Sequence, residues 1–215
     1  NGHSWGINAA YSVFLAHLLK QGTFAGATAL IYAAAGSLSV GTMMIITPIA
    51  TIMARELGTR PIMLIGAVVQ SVSLVCASLS TEIWHLFLSQ GVLFGIGMGL
   101  LFLPSYGIIS QWFNKKRALA NGIAIAGAGL GGLTYSLATG AIIRNMGLDW
   151  AYRILAIVSA VANITCALLI KARYGTQASR LAFDTSLLFK PEYLLVLGYG
   201  AFSMLGYFVL IFTLA

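Results

Sequence analysis

Gln111-Trp-Phe-Asn-Lys-Lys-Arg-Ala-Leu-Ala-Asn-Gly-Ile-Ala-Ile-Ala-Gly127 sets three consecutive cations in front of an apolar run rich in alanine and glycine. Apolar segments lie on both sides, one ending near Ile109 and the next beginning near Leu119. A hydrocarbon core about 30 Å thick takes roughly 20 apolar residues per helical crossing. Lys115, Lys116 and Arg117 therefore mark a short turn between two membrane helices. The retention of Lys and Arg on the inner side places that turn in the cytoplasm.

The rest of the chain agrees with a lipid environment. Of 215 residues 59% are hydrophobic and only 8% charged, against about 25% charged in a soluble domain. The mean hydropathy is +0.91. A net charge of +7 raises nucleic acid as a partner, but the cations sit in short turns between apolar runs, so no nucleic-acid partner is expected. Cys76 and Cys166 fall inside apolar runs and read as two small buried residues rather than a disulfide or a metal pair. The chain opens on Asn1-Gly-His-Ser-Trp5, which reads as the interior of a helix already under way, and a fragment cut at both ends is expected.

Working outward from the basic turn, the apolar runs divide into seven spans. They are expected at about 5–19, 28–53, 62–79, 86–109, 119–143, 154–170 and from 193 to the end. The second, fourth and sixth links carry nine Lys and Arg, among them Arg55, Arg60 and Lys171; the other three carry three, Lys20, Arg144 and Arg153. The even-numbered links are thus expected to be cytoplasmic. Residues 171–192 form the longest polar link. The expected organisation is a six-helix half over 1–170 with its first helix truncated, a central cytoplasmic loop over 171–192, and the first helix of a second half over 193–215.

Gly91, Gly95 and Gly99 are spaced at four, as are Gly36 with Val40 and Gly127 with Gly131. Small residues at this spacing let helix backbones approach closely in lipid. The run Gly127 to Gly132 is no phosphate loop, because no strand precedes it and no Lys-Ser/Thr follows. No ionisable residue is expected squarely mid-span; His17 and His85 read as interfacial. Glu82 and Asp149 read as groups at helix N-termini. Arg153 is expected to snorkel outward or to pair with Asp149. Without a cluster of His, Asp or Glu at midplane depth, no catalytic residue, metal site, cofactor or enzymatic activity is expected.

Three stretches carry a family resemblance. They are Ser4-Trp-Gly-Ile-Asn-Ala-Ala-Tyr-Ser-Val-Phe14, Pro48-Ile-Ala-Thr-Ile-Met-Ala-Arg-Glu-Leu-Gly-Thr-Arg60, and the basic turn with the helix after it, Trp112 to Gly127. Phe189-Lys-Pro-Glu-Tyr193 with Gly198-Tyr-Gly and Gly206-Tyr-Phe supports them. The chain resembles the major facilitator superfamily and, within it, the monocarboxylate porter family, especially the fungal members. The superfamily's loop pattern Gly-x-x-x-Asp-Arg-x-x-Gly-x-Arg is matched at Arg55, Gly58 and Arg60, while Ala50 and Ala54 replace its first glycine and its acid.

The resemblance implies an all-α polytopic membrane protein of the major facilitator fold, with about seven of twelve helices in this chain. It implies a secondary transporter of a small organic solute, monocarboxylate-like or bulkier, working by alternating access around a midplane site. The first-helix lysine of well-studied carboxylate carriers aligns with Ala9, and Ile7-Asn-Ala-Ala-Tyr11 offers no titratable group but the phenol. The implied cavity contacts are Trp5, Val40, Met44, Asn121 and Ala128, with Asn8 and Tyr11 counted beside them. Arg55, Gly58, Arg60 and Arg117 are the candidates for a cytoplasmic gate, where a guanidinium can bond the last carbonyls of neighbouring helices. Expected partners are the solute, the lipid bilayer and, as coupling ion, a proton; the plasma membrane is the expected location, and the oligomeric state is left open. Two alternatives stand beside this reading. One is a metabolite or toxin exporter of the same superfamily; the Gly-x-x-x-Gly-Pro expected of an exporter's fifth helix lacks its proline here. The other is a non-transporting membrane fragment acting through helix association.

Overall fold

The computed structural model describes residues 2–21, 28–113 and 115–170, with 194, 195, 198, 199 and 202 as isolated positions. The expected central loop, and all of the expected last span but those isolated positions, lie outside the described residues. Helices follow one another: α1 (Gly2–Gln21), α2 (Ala29–Glu56) and α3 (Thr59–Ser78) come first. A single rod follows, made of α4 (Ile83–Leu86), a π-helical stretch (Phe87–Leu93) and α5 (Phe94–Trp112). Then come α6 (Arg117–Met146) and α7 (Leu148–Leu169). No described residue lies in a strand.

Burial runs opposite to a water-soluble protein. Ile45, Leu130, Leu137, Ile157 and Leu169 are each more than 60% exposed, while Ser39, Gln70, Ser73, Thr139 and Ser159 are fully enclosed. Such an arrangement is stable only where the surrounding medium is as apolar as the leucines that face it. Among the described residues, five helical rods are long and apolar enough to cross a membrane: α2, α3, the α4–α5 rod, α6 and α7. The first expected span, α1, is not among them, because His3, Ser4, Asn8 and Ser12 dilute it. It is instead sheltered by protein. Ile7, Ala10, Tyr11, Phe14, Leu15 and Leu18 are all buried against neighbours.

The principal packing pairs are α1 on α6, α2 on α5, and α3 on both α5 and α7. Glycine makes three of these seams possible, the one between α3 and α5 through Gly66 and Gly97. A Cβ at Gly95 would run into the backbone oxygen of Ser39 on α2, and Gly91 and Gly99 face Leu38 and Ile46 of the same helix. Between α1 and α6, Gly6 meets Gly131 and Tyr135. The spacing rule separates less well in α6: Gly131 is crowded by Gly2, whereas a Cβ at Gly127 would meet nothing within 4 Å.

The links are shorter than the apolar runs suggest. The expected turn from Ala54 to Pro61 closes to Leu57 and Gly58, and the expected loop from Arg144 to Trp150 closes to Gly147 alone. The reason is that helices continue past the hydrocarbon edge, where charged residues tolerate helix as readily as loop. Pro61 fits within the first turn of α3, where its missing N–H has no partner to lose. Both links turn on a glycine with positive φ, 93° at Gly58 and 92° at Gly147. With ψ at 157° Gly58 occupies a region essentially closed to other residues. Gly58→Ala is therefore expected to destabilise the complete protein by about 1 kcal/mol, read as a lowered melting midpoint in detergent; an unchanged midpoint would show that the turn adopts another conformation.

Other placements differ from expectation. Cys76 and Cys166 are exposed on the outer flanks of α3 and α7 rather than buried. Helical periodicity decides this, since a small apolar residue is equally at home against lipid or protein. Asp149 sits inside the first turn of α7, where it still favours the helix N-terminus. Arg153 does not pair with it. Its Nε donates to Ser78 Oγ at 3.4 Å and its guanidinium lies 5.6 Å from the Trp150 ring. Glu82, Trp84 and His85 form an exposed knot before the fourth rod. The indole donates to the Glu82 carboxylate at 2.5 Å, and the imidazole accepts the Glu82 backbone N–H at 3.3 Å.

Candidate substrate cavity and inner rim

Three side chains of α1 reach three different helices. Trp5 meets Phe102 of α5 edge-on, with ring centroids 5.6 Å apart, and Phe102 in turn packs on Tyr106 at 4.8 Å. The Asn8 carbonyl accepts from Ser39 Oγ of α2 at 3.4 Å. His3 Nδ1 lies 2.6 Å from the Tyr135 hydroxyl of α6, and their rings also meet edge-on. Polar and aromatic groups thus gather along α1, the helix kept from lipid by its neighbours. Trp5, Asn8 and Ala9 remain half-buried there.

The other expected cavity residues are placed differently. The hydroxyl of Tyr11 donates to the Tyr32 carbonyl at 3.0 Å, and the residue is fully enclosed, tying α1 to α2. Val40 is buried in the core that α1 shares with α2, whereas Met44, one turn further along α2, is exposed. Asn121 and Ala128 are half-buried on α6. Asn121 lies about 21 Å along α6 from Tyr135 at about 1.5 Å per residue, toward the basic turn. The structure therefore brings Trp5, Asn8, Tyr11 and Val40 into one region and sets Asn121 apart from it. The Asn121 Oδ1 atom is buried and unbonded among the described residues.

Among the candidate gate residues, Arg55 belongs to the last turn of α2, Gly58 is the turn, and Arg60 begins α3. Arg60 Nε donates to the Ile170 carbonyl at 2.5 Å, across 110 residues. Ile170 closes the C-terminus of α7, whose last carbonyls have no helical partner. A cation there is favoured both by the hydrogen bond and by the helix dipole. Arg60 is thereby joined to the sixth span, and α3 begins on the side where α7 ends. Arg117 opens α6; its side chain lies outside the described residues.

Sequence reasoning passed over Phe102, Tyr106 and the pair His3–Tyr135. In the sequence the aromatic residues stand within apolar runs with nothing to distinguish them, and only packing sets Phe102 against Trp5. His3 was hidden because nothing in the first residues tells how deep they lie. The register with α6 supplies the depth. At about 1.5 Å per residue Tyr135 stands about 27 Å from Arg117 and about 16 Å from Met146, the ends of a 30-residue helix that carries a candidate span. His3 thus lies level with the interior of that candidate span, at the first turn of α1.

Comparison with known proteins agrees with this geometry. The sequence profile of the Major Facilitator Superfamily matches residues 3–215. The probable transporter MCH2 of Saccharomyces cerevisiae is 33% identical over 100% of this chain and 47% of its own length. Monocarboxylate transporter 3 of Gallus gallus is 46% identical over 38% of this chain and 15% of its own length. Agnestins efflux protein AgnL12 of Paecilomyces divaricatus is 33% identical over 57% of this chain and 28% of its own length. The chain thus spans less than half the length of these relatives. With apolar rods for lipid, a glycine-seamed bundle and a profile match along nearly its whole length, the chain belongs to the major facilitator superfamily of membrane transporters.

Proposed function

We propose that residues 1–170 form one six-helix half of a secondary carrier, joined through 171–192 to a second half that begins at 193. The carrier moves a small organic solute by alternating access, the two halves rocking about a site lined by Trp5, Asn8 and Phe102. The observation that carries this reading is α1: too polar for lipid, held within the bundle, and presenting half-buried uncharged groups along one flank. Ala9 at the centre of that flank supplies no positive charge for a carboxylate. A lining of indole, phenyl and amide suits a monocarboxylate with a bulky apolar body, or a neutral metabolite of similar size. Arg55, Gly58, Arg60 and Arg117 form the inner rim, at which Arg60 braces α3 against α7. We place the even-numbered links in the cytoplasm and the carrier in the plasma membrane.

The test is flux through the complete protein in proteoliposomes, measured in both directions with labelled short carboxylates, aromatic carboxylates and neutral metabolites. Saturable flux of at least one compound is expected, and Trp5→Ala is expected to raise its KM about tenfold, as for a lost aromatic contact of about 1.4 kcal/mol. Absence of flux for every compound, with the protein folded, would defeat the carrier reading in favour of helix association alone. Cysteine labels beside Lys116 and beside Glu82 are expected to react from opposite faces of the membrane.

A further inference from the structure

We infer that His3, held by Tyr135, is a site of reversible protonation inside the bundle and the point at which a proton couples to the rocking of α1 against α6. An ionisable side chain at bilayer depth is costly and marks function by default, with its partner as the first clue to which function. Here the partner is a phenol at 2.6 Å rather than a carboxylate. A carboxylate would hold the imidazole charged in every state. A phenol serves both states: its O–H donates to a neutral ring nitrogen, and its oxygen accepts from an imidazolium N–H. In either tautomer one ring nitrogen keeps a lone pair for an incoming proton. The step is H⁺ plus neutral imidazole giving imidazolium, with the hydroxyl of Tyr135 turning from donor to acceptor.

The surroundings suit a group that changes charge. Among the described titratable and charged residues of the elements packed on α1, α6 faces His3 with Tyr135 alone; its Arg117 and Arg144 stand at its ends. On α5, Tyr106 meets Phe102 and not His3. On α2, the Tyr32 carbonyl is engaged by Tyr11, two turns further along α1, and Arg55 and Glu56 end the helix. On α7, Tyr152 lies beyond Phe14, where the two rings stack at 4.0 Å, and Asp149 and Arg153 sit nearby in the first turns. No fixed charge of these elements therefore faces His3. The pair also spans the seam where Gly6 and Gly131 bring two backbones together without intervening side chains. A charge appearing there changes the balance between bundle interior and any open aqueous cavity, which is how a proton can bias one arrangement over another.

The coupling rests on the carrier reading; the protonation does not, and the experiment separates them. The complete protein, labelled with ¹⁵N histidine in nanodiscs, is titrated by NMR. The His3 ring is expected to change protonation state during the titration, and Tyr135→Phe, which keeps the edge-on ring contact, is expected to move its midpoint. In parallel, flux of labelled pyruvate and of an aromatic carboxylate is measured in proteoliposomes with and without an inward proton gradient. His3→Gln is expected to retain exchange of the labelled compound while losing at least tenfold of the stimulation by the gradient. A His3 ring that stays in one protonation state from pH 4 to 9 overturns the inference, and so does full gradient stimulation in His3→Gln. No flux of either compound by the unmodified protein counts against the carrier reading, and the NMR titration then still decides the protonation site.

Discussion

Gly95→Leu is expected to destabilise the complete protein by about 3 kcal/mol, at the upper end for overpacking, and with it to abolish the proposed transport. The Cβ alone would strike the Ser39 carbonyl oxygen and come within 2.8 Å of Thr42 Cβ. Neither is the free end of a flexible side chain. The backbones of α2 and α5 must therefore separate, and with them the contacts of Gly91 and Gly99 on the same seam. Dispersion is the main attraction between helices in lipid, so a seam opened by a side chain has no hydrophobic drive to close it again. Cys166→Leu, which adds volume on an exposed flank of α7, is expected to change stability by less than about 0.5 kcal/mol. Equal melting midpoints for the two variants would show that the α2–α5 seam is not a tight one.

The second large effect is expected at Asn163. Its Nδ2 donates to Gln70 Oε1 at 3.1 Å, joining α7 to α3, and Gln70 is fully enclosed. Gln70 Nε2 already lacks a partner among the described residues. Asn163→Leu would leave the whole amide of Gln70 without one, at a cost of about 2 kcal/mol for a buried unsatisfied group. Replacing both residues with leucine removes the stranded amide as well, and at least half of the loss is expected to return. A double variant whose loss equals the sum of the two single losses would show that the amides do not act as a pair.

Much of this architecture is legible in the order of the residues. Lys115 to Arg117 between two apolar runs located a turn, and the three crowded glycines Gly91, Gly95 and Gly99 announced a close helix pair. The family followed from the stretch between Trp112 and Gly127. Arg60 was singled out as well, but not its acceptor, a carbonyl 110 positions away. Gly127 and Gly131 have the same spacing signature and both lie against Gly2 of α1, yet a Cβ would be crowded only at Gly131, because the contact at Gly127 falls on its carbonyl rather than on its side-chain position. The candidate cavity was readable in part: Trp5 and Asn8 were singled out, whereas Phe102 could be joined to them only by packing.

Composition and residue order alone were enough to establish a lipid-embedded helical bundle, since the lengths of apolar runs and the placement of cations answer directly to the thickness and charge asymmetry of a bilayer. Depth and neighbourhood were decided by helix packing. A helix presents a new face every 100° or so, and nearly every face of these helices is apolar, so sequence patterning cannot say which one meets a partner. That choice rests on where backbones can touch, and it is what sets His3 opposite Tyr135 and Gln70 opposite Asn163.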